Sequence, residues 1–206
     1  MKIVFLGKPL SGKGTQASLI SEKLHIPHIS TGDLLRKEVE RKTIIGKKIS
    51  PLLRQGKFVP DRLMFSLLKK GLPKKSFILD GFPRDLVQAK TLEKVTKIDL
   101  VVDVFCSDKT ILKRAGSRTS CERCGKIYGL NVQAKKKGIC DHCKGKLIRR
   151  ADDGAATVQK RLQLYRKETK QLIPFYKTQK SYFPVRGEDP IAKVQNKILQ
   201  KIESIK

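Results

Sequence analysis

Runs of apolar residues alternate with amphipathic stretches along this chain of 206 residues. Short apolar runs predict buried strands at residues 3–6, 77–79 and 100–105, and a weaker one at 182–185. Between them, apolar positions repeat with helical spacing and predict helices at 13–24, 61–70, 85–94, 109–114, 156–177 and 191–205. Strand, crossover helix and strand in series are typical of a parallel sheet. We therefore predict an α/β fold with a central parallel β-sheet covered by helices.

Two segments interrupt this alternation. Residues 31–60 predict short helices separated by glycines and prolines, and we interpret 30–59 as a helical insertion. Residues 117–150 contain ten Lys or Arg, only two acidic residues and few apolar positions, so this segment needs a metal in order to fold. We expect a core of residues 1–29, 60–115 and 152–206, with a second insertion at 116–151.

The composition is strongly basic, with 46 Lys plus Arg, 19 Asp plus Glu and a formal net charge of +27. The length and a hydrophobic fraction of 39% suffice for a sizeable core, which argues against wholesale disorder. No apolar stretch is long enough for a secretion signal or a membrane span, so we expect a cytoplasmic protein with no membrane association. The excess charge indicates either solvated lysine-rich faces or anionic partners such as nucleotides, nucleic acids or acidic lipids.

The most specific chemical signal is GKPLSGKGT at residues 7–15, between the first predicted strand and the first predicted helix. Gly7 and Gly12 permit backbone conformations in which successive N–H groups surround a phosphate. Lys13 supplies a mobile charge for the β and γ phosphates, and Thr15 supplies a hydroxyl for Mg²⁺ or phosphate. The context of strand, loop and helix favours a nucleotide-binding loop over a glycine-rich turn without a ligand.

Four of the five cysteines form two CxxC pairs that are 15 residues apart, namely Cys121, Cys124, Cys140 and Cys143. This spacing predicts one structural zinc held by four thiolates, with disulfides or unligated thiols as the alternative. Cys106 ends an apolar run and is interpreted as a buried hydrophobic residue. His25 and His28 are interpreted as structural, and His142 as a poorer zinc ligand than the two thiols beside it.

GKPLSGKGTQ, in which Gly14 separates Lys13 from Thr15, resembles the nucleotide-binding loop of adenylate kinases. Further segments resemble the same family in the same order: HISTGDLLR at 28–36, ILDGFPR at 78–84, RAGSR at 114–118, and RRADD to KRL at 149–162. The resemblance extends from residue 2 to about residue 197. It implies reversible, Mg²⁺-dependent phosphoryl transfer, ATP + AMP ⇌ 2 ADP, on a P-loop kinase core with a helical insertion that binds the nucleoside monophosphate and a zinc-binding lid.

The resemblance also implies site residues. Those for ATP are Gly7, Gly12, Lys13, Gly14, Thr15, Arg114 and Arg118. Those for AMP are Thr31, Arg36, Arg84, Gln88, Arg150 and Arg161. The catalytic set is Lys13, Asp80, Arg84, Arg118, Arg150 and Arg161. Among these, Asp80 is implied to hold the Mg²⁺ water shell and Arg114 to stack on the ATP adenine.

Two alternatives stay open: a kinase for another nucleoside monophosphate, and a basic nucleic-acid-binding protein with a zinc ribbon. Four Tyr, eight Phe and no Trp leave few side chains for base stacking, so nucleic acid is not expected as the main partner. We expect a monomer that binds ATP and AMP. The sequence departs from the family at Leu10, where Gly is usual, and a positive φ would be costly for Leu. This departure predicts either another path of the loop or an altered nucleotide affinity.

Overall fold

A five-stranded parallel β-sheet forms the centre of the molecule. The structure is a computed structural model that describes residues 1–205, apart from the side chain of residue 70. The strands of the described residues, in both sheets of the molecule, are β1 (Lys2–Leu6), β2 (His28–Ser30), β3 (Phe77–Asp80), β4 (Leu100–Phe105), β5 (Thr119–Cys121), β6 (Ile127–Tyr128), β7 (Leu147–Ile148) and β8 (Tyr182–Arg186). Its helices are α1 (Lys13–Leu24), α2 (Thr31–Glu40), α3 (Ile44–Arg54), α4 (Asp61–Gly71), α5 (Leu86–Val95), α6 (Asp108–Ser117), α7 (Ala155–Lys167), α8 (Leu172–Thr178) and α9 (Ile191–Glu203). Residue 206, the last of the predicted core, lies outside the described residues.

The central sheet has the strand order β2-β3-β1-β4-β8, and each neighbouring pair is parallel. Phe5 of β1 lies opposite Asp80 of β3 on one side and Val102 of β4 on the other. The carboxyl ends of parallel strands share one edge, so the loops after β1 and β3 open on the same side. The predicted α/β fold with a parallel sheet is confirmed. The strand β2 was not predicted, because it has only three residues and none of them is fully buried.

Helices cover both faces of this sheet. Val4 and Leu6 pack on one face with residues of α4, α5 and α8, while Ile3 and Phe5 pack on the other face with residues of α1 and α9. Alternate residues of a strand point to opposite faces, so a strand buried on both faces reads as a continuous apolar run. Among residues 1–205, no helix combines the length and apolar character needed to cross a membrane.

The prediction of one helix over residues 156–177 is wrong. The helix α7 ends at Lys167, a short 3₁₀ turn spans Thr169–Gln171, and α8 begins at Leu172. One tertiary contact and one local feature explain the break. The Thr169 hydroxyl donates to the main-chain oxygen of Arg84 at 2.8 Å. Pro174 lacks the N–H that would continue a helix back to residue 170, which is tolerated only in the first turn of a helix.

A helical hairpin, α2 and α3, occupies much of the first segment that interrupts the pattern. Both helices have side-chain caps: Ser30 accepts from the Asp33 N–H at 3.3 Å, and Thr43 accepts from the Gly46 N–H at 2.9 Å. A Cβ at Gly46 would lie 1.9 Å from the main-chain oxygen of Glu38. Only glycine therefore lets the two helices approach this closely.

Asp103 is a buried carboxyl group in β4. Its Oδ2 accepts from the Tyr182 hydroxyl at 2.7 Å, and its Oδ1 has no hydrogen-bond partner among the described residues. Burial raises the pKa of Asp103, while Tyr182, Lys177 and Lys8 act in the opposite direction. Because the pKa is higher in the folded state, this group stabilises the fold at low pH. That contribution is lost as the pH rises through the folded pKa.

We expect Asp103→Asn, which keeps an acceptor for Tyr182 and removes the charge, to be more stable than the wild type at pH 8. The advantage should shrink as the pH falls toward the ordinary aspartate pKa of about 3.9. Urea unfolding at a series of pH values measures this difference. Asp99→Asn, at an exposed position just before the same strand, is the control. An advantage that does not vary with pH would contradict a raised pKa at Asp103.

Candidate active site

The loop at residues 7–12 carries the chain from β1 into α1. Gly7 has φ +138° and Gly12 has φ +104°, conformations that favour glycine. A Cβ at Gly7 would also lie 2.4 Å from the main-chain oxygen of Val104. Gly12 precedes the first turn of α1, whose N–H groups have no partner within the helix. The loop thus presents a helix N-terminus that is suited to a phosphate.

Leu10 has φ +61°, in the left-handed region. Such a conformation costs a non-glycine residue roughly 1–2 kcal/mol. The side chain is only 6% exposed and packs in a buried cluster with Ile111 and Ala115 of α6 and with Val158 of α7. Burial of a leucine side chain is worth about 1.5–3 kcal/mol, which offsets the backbone strain. The leucine therefore keeps a positive φ and anchors the loop by its side chain.

A cleft opens in front of this loop, at the carboxyl ends of the strands. Most of the predicted site residues line it: Gly12, Lys13, Gly14, Thr15, Arg36, Asp80, Arg84, Arg114, Arg118, Arg150 and Arg161. Gly7 lies at the base of the loop, in a smaller adjoining cavity that Lys13, Arg84 and Arg161 also line. Chain segments far apart in sequence thus converge on one cleft.

Two predicted residues, Thr31 and Gln88, do not line this cleft. The Thr31 hydroxyl is buried and donates to the main-chain oxygen of Asp80 at 3.1 Å. The Gln88 amide oxygen accepts from the Arg84 N–H at 2.8 Å, and its amide nitrogen donates to Asp61 at 2.7 Å. Both side chains are thus held by protein groups in this structure.

Arg114 holds the loop from the side of α6. Its Nη1 donates to the main-chain oxygens of Leu10 at 3.2 Å and Ser11 at 2.8 Å, and its Nη2 donates to that of Gly187 at 2.6 Å. The planar guanidinium carries several N–H donors in a fixed arrangement, so it can bind these three main-chain oxygens at once. Arg114 thereby connects the phosphate loop to the segment after β8.

Positive charge is concentrated in the cleft. Loss of contact with bulk water lowers the pKa of Lys13 to about 8; Asp80 opposes this shift and Arg161 reinforces it. Burial, together with neighbouring arginines, lowers the pKa of Arg84 to about 10 and that of Arg150 to about 10. These shifts mean that each positive charge is disfavoured by burial and by its neighbours. An anion that enters the cleft therefore gains a strong attraction.

Acidic side chains beside the lid hold several of these cations in place. The guanidinium of Arg118 donates through two nitrogens to Asp153, with an Nε to Oδ2 distance of 2.7 Å, and Asp153 is fully buried. Arg161 donates to Asp152 Oδ2 at 2.9 Å and lies 3.8 Å from Asp153. These carboxylates are not among the site residues predicted from the sequence. The available signal was an adjacent acidic pair in a strongly basic chain.

Ion pairs also connect the helical hairpin to the end of the lid. Asp33 Oδ1 accepts from Arg36 at 2.5 Å and lies 3.6 Å from Nη2 of Arg150. Arg36 Nη1 lies 3.7 Å from Asp152. Burial alone would raise the pKa of Asp33 and of Asp152, but neighbouring arginines hold both values below the ordinary range. These carboxylates are therefore ionised and bridge arginines from distant parts of the chain.

Asp80 ends β3 beside the phosphate loop. Its Oδ1 is buried and has no hydrogen-bond partner among the described residues. Its Oδ2 lies 3.9 Å from Nε2 of His28, which lines the cleft. Burial opposes ionisation, but Lys13, His28 and Arg84 keep the pKa of Asp80 below its ordinary value. An ionised carboxylate with a free oxygen at this position fits a hydrated Mg²⁺.

The lid contains a three-stranded antiparallel sheet, β6-β5-β7, and the four cysteines. All four sulfur atoms lie within 4.8 Å of one another. Cys121 and Cys143 are separated by 3.3 Å between Sγ atoms, and Cys124 and Cys140 by 3.6 Å. A tetrahedral zinc with Zn–S bonds of about 2.3 Å requires sulfurs about 3.8 Å apart, whereas a disulfide requires about 2.05 Å. The geometry therefore fits a zinc ion and not a disulfide.

Hydrogen bonds to the sulfurs favour thiolates at two of these positions. Burial opposes ionisation of Cys140, but the Tyr128 hydroxyl, 3.4 Å away, and nearby main-chain N–H groups lower the pKa of that thiol to about 6. The Gly145 N–H is the main cause that lowers the pKa of Cys143. Since zinc binds thiolates, this arrangement suits a metal site. His142, by contrast, is exposed and outside the cluster.

A phosphate-binding loop on a parallel sheet, facing a cleft rich in arginine, defines the class of P-loop phosphotransferases. The family model described as adenylate kinase matches residues 5–181. Curated adenylate kinases include one from Caldicellulosiruptor saccharolyticus, 40% identical over 98% of this chain and 99% of its own, and one from Archaeoglobus fulgidus, 39% identical over 100% of both chains. Another, from Treponema denticola, is 45% identical over 85% of this chain and 87% of its own.

The chain belongs to the adenylate kinase family, which confirms the resemblance found in its motifs. The reaction of this family is the reversible transfer of a phosphoryl group, ATP + AMP ⇌ 2 ADP, with Mg²⁺ bound to ATP. The predicted class of enzyme is thus confirmed, and a nucleic-acid-binding protein of another class is not needed to explain the cleft.

We expect Gly7→Ala to distort the loop, because a Cβ would clash with the Val104 carbonyl at a φ that only glycine adopts readily. The free energy of unfolding should fall by about 1–3 kcal/mol. The control is Gly116→Ala on the exposed side of α6, where a Cβ meets no atom within 4 Å and alanine adds up to about 1 kcal/mol of helix stability. Chemical unfolding measures both. Equal stability of the two variants would show that the Gly7 conformation is not required.

Proposed function

We propose that this enzyme transfers the γ-phosphoryl group of Mg·ATP directly to the phosphate of AMP. The observation that carries the proposal is the convergence of one lysine and five arginines on the cleft at the phosphate loop: Lys13, Arg36, Arg84, Arg118, Arg150 and Arg161. Two nucleotides bring five phosphates together, and preorganised cations offset the repulsion that this creates.

The ATP phosphates bind the loop at residues 7–15. The N–H groups at the start of α1 surround the β phosphate, and Lys13 and Thr15 contact the phosphates from the same helix. With a pKa of about 8, Lys13 is mostly protonated at neutral pH, and a bound phosphate stabilises that charge further. Arg118 approaches from the lid, and Arg114 lies beside the loop, where its planar guanidinium suits stacking on the adenine.

AMP binds between the helical hairpin and the core. Arg84 and Arg36 hold its phosphate, and Arg150 and Arg161 lie between the two nucleotides. Gln88 reads the adenine with its amide, which requires the amide to exchange its present contact with Asp61 for the base. Thr31 supports this region through its hydrogen bond to the end of β3.

The transfer needs no side-chain nucleophile. The second pKa of a phosphate monoester is about 6, so the attacking oxygen of AMP is already deprotonated at neutral pH. What the chain supplies is alignment of the two phosphates in line and positive charge where negative charge shifts. Asp80 would hold the water shell of the Mg²⁺ that accompanies ATP, and the ion would supply further positive charge to the phosphates.

The helical hairpin at residues 30–59 and the lid at residues 116–151 act as two covers on a core of residues 1–29, 60–115 and 152–206. Their closure excludes water, which protects ATP from hydrolysis and strengthens every charge interaction inside the cleft. The ion pair between Arg150 of the lid and Asp33 of the hairpin supports this assignment, since it joins the two covers directly. A second pair, between Arg36 and Asp152, joins the hairpin to the core just after the lid. The four cysteines hold a structural zinc that folds the lid and takes no part in the chemistry.

We expect rapid ADP formation from Mg·ATP with AMP, and little with UMP, CMP, GMP or no acceptor. Arg84→Ala should lower the AMP-dependent rate by about 100-fold or more, because one preorganised donor to the phosphate is lost. The matched control is Arg62→Ala, which removes the same charge at an exposed site. A coupled assay of ADP measures all three proteins. Preference for another acceptor would indicate a different monophosphate kinase, and acceptor-independent ADP formation would contradict the proposal.

We expect the protein purified under reducing conditions to carry about one zinc per chain, because four closely spaced thiols form a closed tetrahedral set. Cys140→Ser should lose most of this metal and loosen the lid, while Cys106→Ala, which changes the cysteine outside the cluster, should keep it. Elemental analysis and proteolysis of the lid measure these outcomes. Four freely titratable thiols in a zinc-free native protein would contradict the assignment.

A further inference from the structure

Leu10 is the only residue of the phosphate loop whose side chain joins a buried cluster shared by the two helices that flank the lid. The helix α6 ends at Ser117, two residues before the lid strand β5. The helix α7 begins at Ala155, one residue after a 3₁₀ turn at Ala151–Asp153 where the lid ends. The cluster takes Ile111 and Ala115 from α6 and Val158 and Leu162 from α7. Leu10 therefore shares one buried cluster with the helices at both ends of the lid.

The main chain of Leu10 is also hydrogen-bonded to α6. Its carbonyl oxygen accepts from Nη1 of Arg114 at 3.2 Å, and that of Ser11 accepts from the same nitrogen at 2.8 Å. A positive φ is costly for leucine, so this conformation persists because the packing over-determines it. A loop held at one residue by both main chain and side chain cannot shift independently of the helices around it.

We propose that Leu10 is a positioning residue for the ATP phosphates, which fixes the phosphate loop to the lid-bearing helices α6 and α7. The inference rests on the proposed binding of ATP at this loop. Through this contact, the position of the N–H groups that receive phosphate depends on the packing of α6 against α7. The AMP side of the cleft, which is built from α2, α3 and the start of α5, has no part in the cluster.

The test compares Leu10→Ala, which removes the packing, with Leu10→Met, which restores apolar volume. We expect Leu10→Ala to raise both the Kd of ATP, measured by calorimetry without AMP, and the KM for ATP by about fivefold or more, as a coupling of this kind typically does. The KM for AMP should change by less than about twofold, so the effect separates the two substrates. Leu10→Met should bind ATP nearly as the wild type does.

The control for a general loss of stability is Leu92→Ala on α5, in a buried cluster that does not include Leu10. It should lower the melting temperature without changing the Kd of ATP. If Leu10→Ala does not fold, a second variant in the same cluster, Val158→Ala on α7, tests the same packing, and it should also weaken ATP binding. Unchanged ATP affinity in the folded Leu10→Ala, or in Val158→Ala when Leu10→Ala does not fold, would overturn the proposal. If Leu92→Ala raised the Kd of ATP as much as Leu10→Ala does, that result would overturn the proposal as well.

Failure of the proposed function gives a different result. If the wild type bound ATP but formed no AMP-dependent ADP, the calorimetric comparison would still decide the role of Leu10. If the wild type did not bind ATP at all, both the proposed function and this inference would be overturned.

Discussion

Repulsion between cations that must lie side by side is the constraint on which this cleft depends. Two unit charges about 4 Å apart interact by roughly 4 kcal/mol at the effective dielectric constant near a protein surface. Arginines from α2, the lid and α7 meet Lys13 in one cleft, so the folded chain must oppose this repulsion before any nucleotide arrives. The fully buried Asp153 and the partly buried Asp152 do so. Removing Asp153 would leave the largely buried guanidinium of Arg118 without a carboxylate partner, and an unpaired buried charge is strongly destabilising.

The same ion pairs make the cleft responsive to ligands. Phosphate oxygens and carboxylate oxygens compete for the same guanidinium nitrogens, so each nucleotide phosphate that binds can replace a carboxylate partner. One of the present pairs runs from the helical hairpin to the lid, between Asp33 and Arg150. Another runs from the hairpin to the core just after the lid, between Arg36 and Asp152. Exchange of partners at these arginines therefore alters the forces between the two covers. A local change in charge is in this way converted into a change in how strongly hairpin and lid hold each other.

The local hydrophobic pattern of the sequence was sufficient to predict the strands β1, β3 and β4, because a strand buried on both faces has an uninterrupted run of apolar residues. It failed at β2, whose three half-buried residues owe their conformation to pairing with β3, and at residues 168–171, where a tertiary hydrogen bond from Thr169 interrupts a periodic helix. In the site, the phosphate loop was predicted from its glycines, Lys13 and Thr15 together with the strand and the helix that flank it. The carboxylate partners of the arginines were not, since pairs such as Arg118 with Asp153 join residues far apart in sequence.

The surplus charge acts differently from the charge of the cleft. Several cleft arginines face carboxylates, whereas many lysines, including those at 135–137 of the lid, are exposed. Exposed charges contribute little to stability, and their fields are screened over about 8 Å at physiological ionic strength. Such a surface therefore acts mainly on the rate at which anionic nucleotides reach the cleft, an effect that falls steeply with added salt. Binding within the cleft depends on desolvated, paired cations and is screened far less. Added salt should therefore distinguish the exposed charges from the charges of the cleft. It should lower the association rate of the nucleotides more than it lowers the stability of the bound complex.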